Sequence, residues 1–254
     1  MKVTVVYCTA RRGGLDILYQ SMQDQTHKDL EVVVVDELGR SLSSIAGADS
    51  KYIDVKPPAK KSDKFWNLSA SLNAGVRAAT GELIVLLQDY IWVPEDGLSR
   101  FVIRSKDEPK GLISGVGHQY MDVHEWGGPP RGQRVFVDPR MERRGFYLCT
   151  PVEWEANWSC FRKKVWEDVG GFDEDFDAGW GYDNVNFAER AQMAGYHLFL
   201  DTHNEVLCYS HIKMFNEQGT RDAAPNNQKL WVRKYSELSQ GLTPWKLNYA
   251  NSVC

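Results

Sequence analysis

The sequence predicts an α/β fold with a mostly parallel central sheet flanked by helices, on three observations. Two β-branched runs, VTVVYCT (3–9) and EVVVVDE (31–37), are continuous rather than alternating, as in strands covered on both faces. Between them GLDILYQSMQDQ (14–25) sets Leu15, Leu18 and Met22 at helical spacing. A third run, ELIVLLQD (82–89), follows a second amphipathic segment, NLSASLNAGVRAAT (67–80), which Gly81 stops. Strand–helix–strand–helix–strand order implies parallel pairing with right-handed crossovers.

The remaining elements are less regular. KYIDV (51–55) adds a strand before the break KPPAKKSDK, and LISGVG (112–117) another. The stretch 118–147 is rich in Gly, Pro and Arg and reads as loop. FRKKVWEDVGG (161–171) reads as a short helix and DNVNFAERAQMAGY (183–196) as a longer one, each with a glycine stop. HLFLD (197–201) follows as a strand and PNNQKLWVRKYSELSQG (225–241) as a final helix. No repeat or linker divides the chain, so 1–254 is expected to be one domain with a regular half (1–117) and a loop-rich half (118–254).

Bulk properties narrow the function classes. The 254 residues suffice for a substantial core, and 43% hydrophobic with 25% charged residues is ordinary for a soluble globular protein. A net charge of −4 argues against a wholly basic nucleic-acid binder. The opening MKVTVVYCTARRGG has too short an apolar run for a signal peptide, and no stretch reaches the length of a membrane span. The five cysteines are odd in number and form no CxxC pair, which fits a reduced cytoplasmic protein better than a disulfide or zinc framework.

In open parallel sheets ligands gather at the carboxyl ends of the strands. Thr9, Asp36 and Asp89 all fall there. Asp89 closes its strand as a lone acid, well placed to share a hard divalent cation with substrate phosphates; a turn-stabilising Asp is the plainer alternative. A second acid-rich stretch, GFDEDFDAGWGYDNVNFAER (171–190), ends at Asp183. There Gly179, Trp180, Gly181 and Tyr182 suit a wall for a sugar ring. Asp183 also suits a helix N-terminus, where an acid is favoured by the macrodipole.

Four stretches in order resemble a glycosyltransferase of the GT-A fold, family 2 type. VTVVYCTARRGGLDILYQSMQDQTHKDLEVVVVDE resembles the opening nucleotide-binding unit. NLSASLNAGVRAATGELIVLLQDYIWVPEDGL resembles the helix and strand leading to the family's DxD metal motif. ANWSCFRKKVWEDVGGFDEDF resembles the acceptor-side segment, and GWGYDNVNFAERAQMAGYHLFLD the helix that carries the base. The resemblance implies a GT-A, Rossmann-like single domain, with residues 1–117 binding a nucleotide sugar and 118–254 the acceptor.

Carried over residue by residue, the resemblance implies that Thr9, Arg11, Asp36, Asn73 and Asp89 contact a donor, a UDP-sugar in the first place. Asp89 matches the second acid of DxD, with Leu87 standing where the first belongs. Mn²⁺ or Mg²⁺ is implied as cofactor, with His211 as a second metal ligand beside Asp89. Asn157, Trp158, Trp180 and Asn184 are implied on the acceptor side, the tryptophans as apolar walls, with a place in the core equally open for them. His118, His124 and His203 have no match and are read as structural.

G-W-G-Y-D-N, set against the G-W-G-G-E-D of galactosyltransferase-like members, puts an amide, Asn184, where the usual base stands. An amide cannot take a proton, so Asp183 becomes the expected base of an inverting reaction. The resemblance of D-N to the E-N pair of retaining polypeptide N-acetylgalactosaminyltransferases keeps retention open. The acceptor is open too: a glycan, a protein or a modified DNA base. For DNA speaks PPRGQRVFVDPRMERRGFY (129–147), with five arginines against two acids, a basic lip for phosphate; a solvated loop is the plainer alternative. A nucleotidyltransferase, or a non-catalytic sugar- or nucleic-acid-binding protein on the same scaffold, are the competing readings.

Overall fold

Strand β1 (Val3–Thr9) is buried along all seven residues and β2 (Leu30–Asp36) along all but the first. Their unbroken apolar runs therefore meet a covering layer on each face. The structure is a computed structural model and describes residues 1–11, 13–42, 51–59, 67–121, 128–179, 181–209 and 217–234. Helix α1 (Leu15–Gln23) joins β1 to β2; β3 (Tyr52–Val55), α2 (Leu68–Ala78) and β4 (Leu83–Gln88) follow. Next come β5 (Ile91–Trp92), α3 (Gly97–Asp107), β6 (Gly111–Met121), β7 (Gln133–Phe136) and β8 (Phe146–Leu148). The remaining elements are β9 (Trp158–Arg162), α4 (Lys163–Val169), α5 (Asp183–Met193), β10 (His197–Tyr209) and α6 (Glu217–Lys234).

Among the described residues ten strands form one sheet, ordered β3-β2-β1-β4-β9-β6-β10-β5, with β7 on β6 and β8 on β10. The side-chain period of two splits its residues between two cores. Val3, Val5, Tyr7, Val85 and Leu87 pack with Leu15, Leu18 and Met22 of α1 and Leu98, Phe101 and Val102 of α3. Val6, Cys8, Ile84 and Leu86 pack with Leu72 and Val76 of α2, Val165 of α4 and Phe187, Ala188 and Ala191 of α5. Each buried Val, Leu, Ile, Phe or Met side chain among them contributes about 1.5–3 kcal/mol.

The parallel half expected from residues 3–89 is present: β2, β1 and β4 run together, with β3 parallel outside β2. Beyond β4 the sheet is mixed. β9 lies antiparallel to both β4 and β6, and β5 antiparallel to β10, while β6 and β10 run parallel, so the expected central sheet is parallel in its first half and mixed in its second. WSCFR is the inserted strand β9, which takes Phe161 and Arg162 from the expected helix 161–171, and α4 begins directly after it at Lys163. β10 runs on past the expected 197–201 to Tyr209, with a register break between Leu200 and Glu205. Helix α3 was not expected at all. The final helix starts earlier than residue 225, and the remainder of the expected 225–241 segment, beyond 234, lies outside the described residues.

β9 matters for the site because its first residue faces Leu87 in register. Its antiparallel direction brings the chain of residues 154–157 to the same edge where β1, β2 and β4 end. Trp158 anchors that entry. It is 2% exposed and its ring lies 4.6 Å from that of Phe101. Gly115 of β6 makes room for it, since a Cβ there would stand 2.3 Å from Trp158 Cδ1. Trp158 is therefore a core residue and not an acceptor wall.

Candidate active site

Parallel register places Thr9 opposite Asp36, and Cys8 opposite Gln88, so Asp89 emerges beside Thr9 at one edge. Thr9 Oγ1 donates to Asp89 Oδ2 at 2.9 Å, and Arg11 Nη1 stands 3.3 Å from Oδ1. The Arg11 main-chain N–H donates to Thr9 Oγ1 at 3.2 Å, and its guanidinium lies 5.1 Å from the centre of the Tyr90 ring. Burial pushes the Asp89 carboxyl above the usual aspartate range, with Arg11 and then Thr9 working against it. Gly13 and Gly14, both at φ 84°, turn the chain from Arg11 into α1 through a conformation that favours glycine.

Next to this pair stands a second. Asp36 accepts from Arg40 Nε at 2.6 Å and from the Leu38 N–H at 2.8 Å. Arg40 Nη2 in turn donates to the Arg11 carbonyl at 2.6 Å. The edge thus carries two aspartates, each already matched by an arginine. Sequence reading missed Arg40; an Arg just beyond the second strand is the signal that marks it.

The expected metal set fits these residues poorly. Leu87, in the position of the first DxD acid, is 2% exposed inside the core with Val85 and Trp158. Asp89 is a single carboxylate whose two oxygens face Thr9 and Arg11. Among the described residues no group of three His, Cys, Asp or Glu side chains could hold a metal ion. His211, the expected helper, lies outside the described residues, as does Trp180.

Asp183 occupies the first position of α5 and is 8% exposed. Burial pushes its carboxyl above the usual aspartate range, opposed only by main-chain N–H groups of Asp183 and Asn184, the free donors of a helix start. The Asn184 amide donates to the Trp154 carbonyl at 3.1 Å, which ties this helix end to the strip leading into β9. Along that strip the Asn157 carbonyl accepts from the Gln88 N–H at 3.0 Å. Asn157 is therefore joined to the residue before Asp89, and its amide points to Glu155 Oε2 at 3.4 Å. The only non-glycine residues with positive φ among the described ones are Tyr90 (62°) and Tyr182 (67°). Each abuts one of the two acids, Asp89 and Asp183. Such strained positions concentrate at functional sites.

Three expectations change. Asn73 leaves the donor-binding set because its amide is fully used inside the protein. Its Nδ2 donates to the Phe172 carbonyl and Glu174 Oε1, and its Oδ1 accepts from Trp166 Nε1 and the Phe172 N–H, all at 2.8–3.0 Å. Trp158 is core, as described above. The basic lip is spent internally in part, with Arg131, Arg134, Arg143 and Arg144 left exposed: the Arg140 side chain, 6% exposed, is paired with Asp138 and with Glu155 at 3.0 Å. Arg144 is paired with Glu205, and Arg143 lies over the Tyr147 ring at 3.9 Å.

The acid-rich stretch before Asp183 has a structural member that sequence reading missed. Asp177 accepts from the N–H groups of Ser69 at 2.7 Å and Ala70 at 3.0 Å, capping α2 from more than a hundred residues away. Burial pushes its carboxyl up to about 6, with those N–H groups opposing.

Fold and edge together define an α/β protein whose buried aspartates and arginines gather at the carboxyl ends of parallel strands, the end at which such sheets generally offer ligand sites. Residues 4–168 match the family model described as Glycosyl transferase family 2; the chain belongs to that family and is a glycosyltransferase. The match takes in Thr9, Arg11, Asp36, Asp89 and Asn157 and stops short of Asp183. A comparison with curated proteins finds no match.

Proposed function

We propose that the protein transfers a sugar from a nucleotide-diphosphate sugar, a UDP-sugar in the first place, to an acceptor hydroxyl with inversion at the anomeric carbon. Family membership supplies the reaction class: a nucleotide-sugar donor and an acceptor. The observation that carries the mechanism is Asp183, a buried carboxylate at the start of α5, raised above the usual range with no cation among the described residues contributing to the shift. A base needs to be ionised yet proton-hungry, and burial without a cationic partner provides that.

In this reading Asp183 takes the proton from the acceptor hydroxyl. The acceptor oxygen forms its bond to the anomeric carbon while the bond from that carbon to the phosphate oxygen breaks. The electron pair leaves with the nucleoside diphosphate, which gains one negative charge. Thr9, Arg11, Asp36 and Asp89 form the donor edge, and Asn157 and Asn184 line the passage from that edge to the acceptor. Mn²⁺ or Mg²⁺ has no part in this reading, because the two carboxylates that the described residues offer at the edge, Asp36 and Asp89, are each engaged by an arginine. With Arg140 and Arg144 turned to protein carboxylates, a glycan or protein hydroxyl is favoured over DNA. No helix among the described residues is long and apolar enough to cross a membrane.

The test is release of nucleoside diphosphate from a panel of UDP-, GDP- and ADP-sugars, with the anomeric configuration of any glycoside read by NMR. Turnover of one donor with an inverted product is the expected result. Neither binding nor turnover of any nucleotide sugar would overturn the proposal, and a retained configuration would remove Asp183 as the base of a single displacement.

A further inference from the structure

We propose that Arg11 serves as the cation of the donor site, its guanidinium meeting the diphosphate in place of a divalent metal. The inference rests on the reading that the strand exits hold a nucleoside-diphosphate sugar, and it concerns how that donor's charge is met. Three independent observations lead to it.

The first is the position of the guanidinium, 3.3 Å from Asp89 Oδ1, on the one acid that the family motif retains. A metal ion bound to that oxygen would share it with a fixed positive charge, and like charges so close repel strongly. The second is the lost ligand. Leu87 faces the α1 and α3 core rather than the edge, so Asp89 has no neighbouring acid on its strand. The third is the degree to which Arg11 is held. Its carbonyl accepts from Arg40, its N–H is bonded to Thr9, and its guanidinium lies over Tyr90. Its side chain nevertheless keeps 24% exposure.

A guanidinium suits this task. It stays protonated at all working pH values and presents a planar fork that matches phosphate oxygens. As the sugar–phosphate bond breaks, the electron pair stays on the phosphate oxygen and adds one negative charge. Arg11 offsets that charge without giving up a proton. The first turn of α1, reached through Gly13 and Gly14, adds the positive end of a helix nearby. Asp89 then acts as a positioning residue for Arg11, with Thr9 fixing the carboxylate.

The experiment is titration calorimetry of UDP, GDP and ADP against the full chain, in EDTA and in Mn²⁺, with nucleotide-sugar turnover measured in the same buffers. In EDTA the wild type is expected to bind one of these nucleotides and to turn over its sugar. Adding Mn²⁺ should change either value by less than about threefold. Arg11→Met should weaken binding in EDTA roughly 10- to 100-fold, the range of a lost charge-assisted hydrogen bond. Arg11→Lys, which keeps the charge and loses the fork, should fall between. Binding and turnover by the wild type that appear only with Mn²⁺, and that Arg11→Met leaves unchanged, would overturn Arg11 as the cation while leaving the glycosyltransferase reading intact. No nucleotide binding in either buffer would overturn both. The EDTA arm on wild type needs no variant, so a folding defect cannot blur the result.

Discussion

Asp89 and Asp183 are alike in three ways and differ in a fourth. Both are buried aspartates, both carboxyls are raised by desolvation, and each adjoins a tyrosine at positive φ. Asp89, however, meets a guanidinium and a hydroxyl, whereas among the described residues Asp183 meets the main-chain donors of a helix start and the charge of Asp177 but no cation. The difference sorts their chemistry. A carboxylate matched by a cation is part of a charge-balancing device and a poor proton acceptor. A carboxylate without one holds its proton affinity, which is what a general base requires.

The strongest way to break the comparison is to remove the unmatched acid. Asp183→Asn is expected to lower kcat by roughly 10²- to 10⁴-fold while nucleotide affinity, measured by calorimetry, stays within about twofold of wild type. Equal loss of binding and turnover would place Asp183 with Asp89 on the donor side.

A second test asks whether the arginine cluster beside the site is structural. Arg140→Leu leaves Asp138 and Glu155 buried without their cation, and should cost about 3–5 kcal/mol in a denaturant melt. A variant as stable as wild type, with altered acceptor preference, would return Arg140 to a binding role. Asn73→Ala sharpens the donor edge in the same way. It strands buried partners on Trp166 and Phe172, so a loss of about 2–3 kcal/mol in stability is expected, with nucleotide affinity unchanged.

The smallest effect belongs to Asp177, the acid of the same stretch that caps a helix. Its folded-state carboxyl titrates at about 6, above the ordinary aspartate value of 3.8. Its contribution to stability is therefore fully present below the ordinary value and is lost as the pH rises through about 6. Asp177→Asn should flatten that slope and, by leaving one acceptor for the two N–H groups, lower the unfolding free energy by about 1 kcal/mol. An unchanged slope would assign the pH dependence elsewhere.

How much of this the sequence disclosed depended on whether the cause was local. β1, α1, β2, α2 and β4 were readable because their burial on both faces, or on one stripe, writes itself into neighbouring residues. Thr9, Asp36 and Asp89 followed from strand ends alone. β9 was hidden because four buried residues and a half-buried arginine run straight into a helix with no turn between them. The second half of β10 was hidden because its register break falls at the polar residues DTHN (201–204), where an alternation reading stops. Asn73, Trp158, Arg140 and Asp177 were misread or missed for one shared reason. Each is explained by a partner outside its own segment: Asn73 by Phe172, Trp158 by Phe101 and Gly115, Arg140 by Glu155, Asp177 by Ser69. A polar or aromatic residue type announces a need for partners, but only the fold says whether protein or substrate meets it.

The central claim is that the unmatched acid is the base. It is tested most directly by the pH dependence of kcat, compared between wild type and the residual turnover of Asp183→Asn. The account predicts that wild-type kcat rises along an acid limb with a midpoint above the usual aspartate value, and that this limb is missing from the variant. The same limb persisting in Asp183→Asn would contradict it and would place the base elsewhere, with Asp89, the raised carboxyl of the donor edge, the first residue to examine.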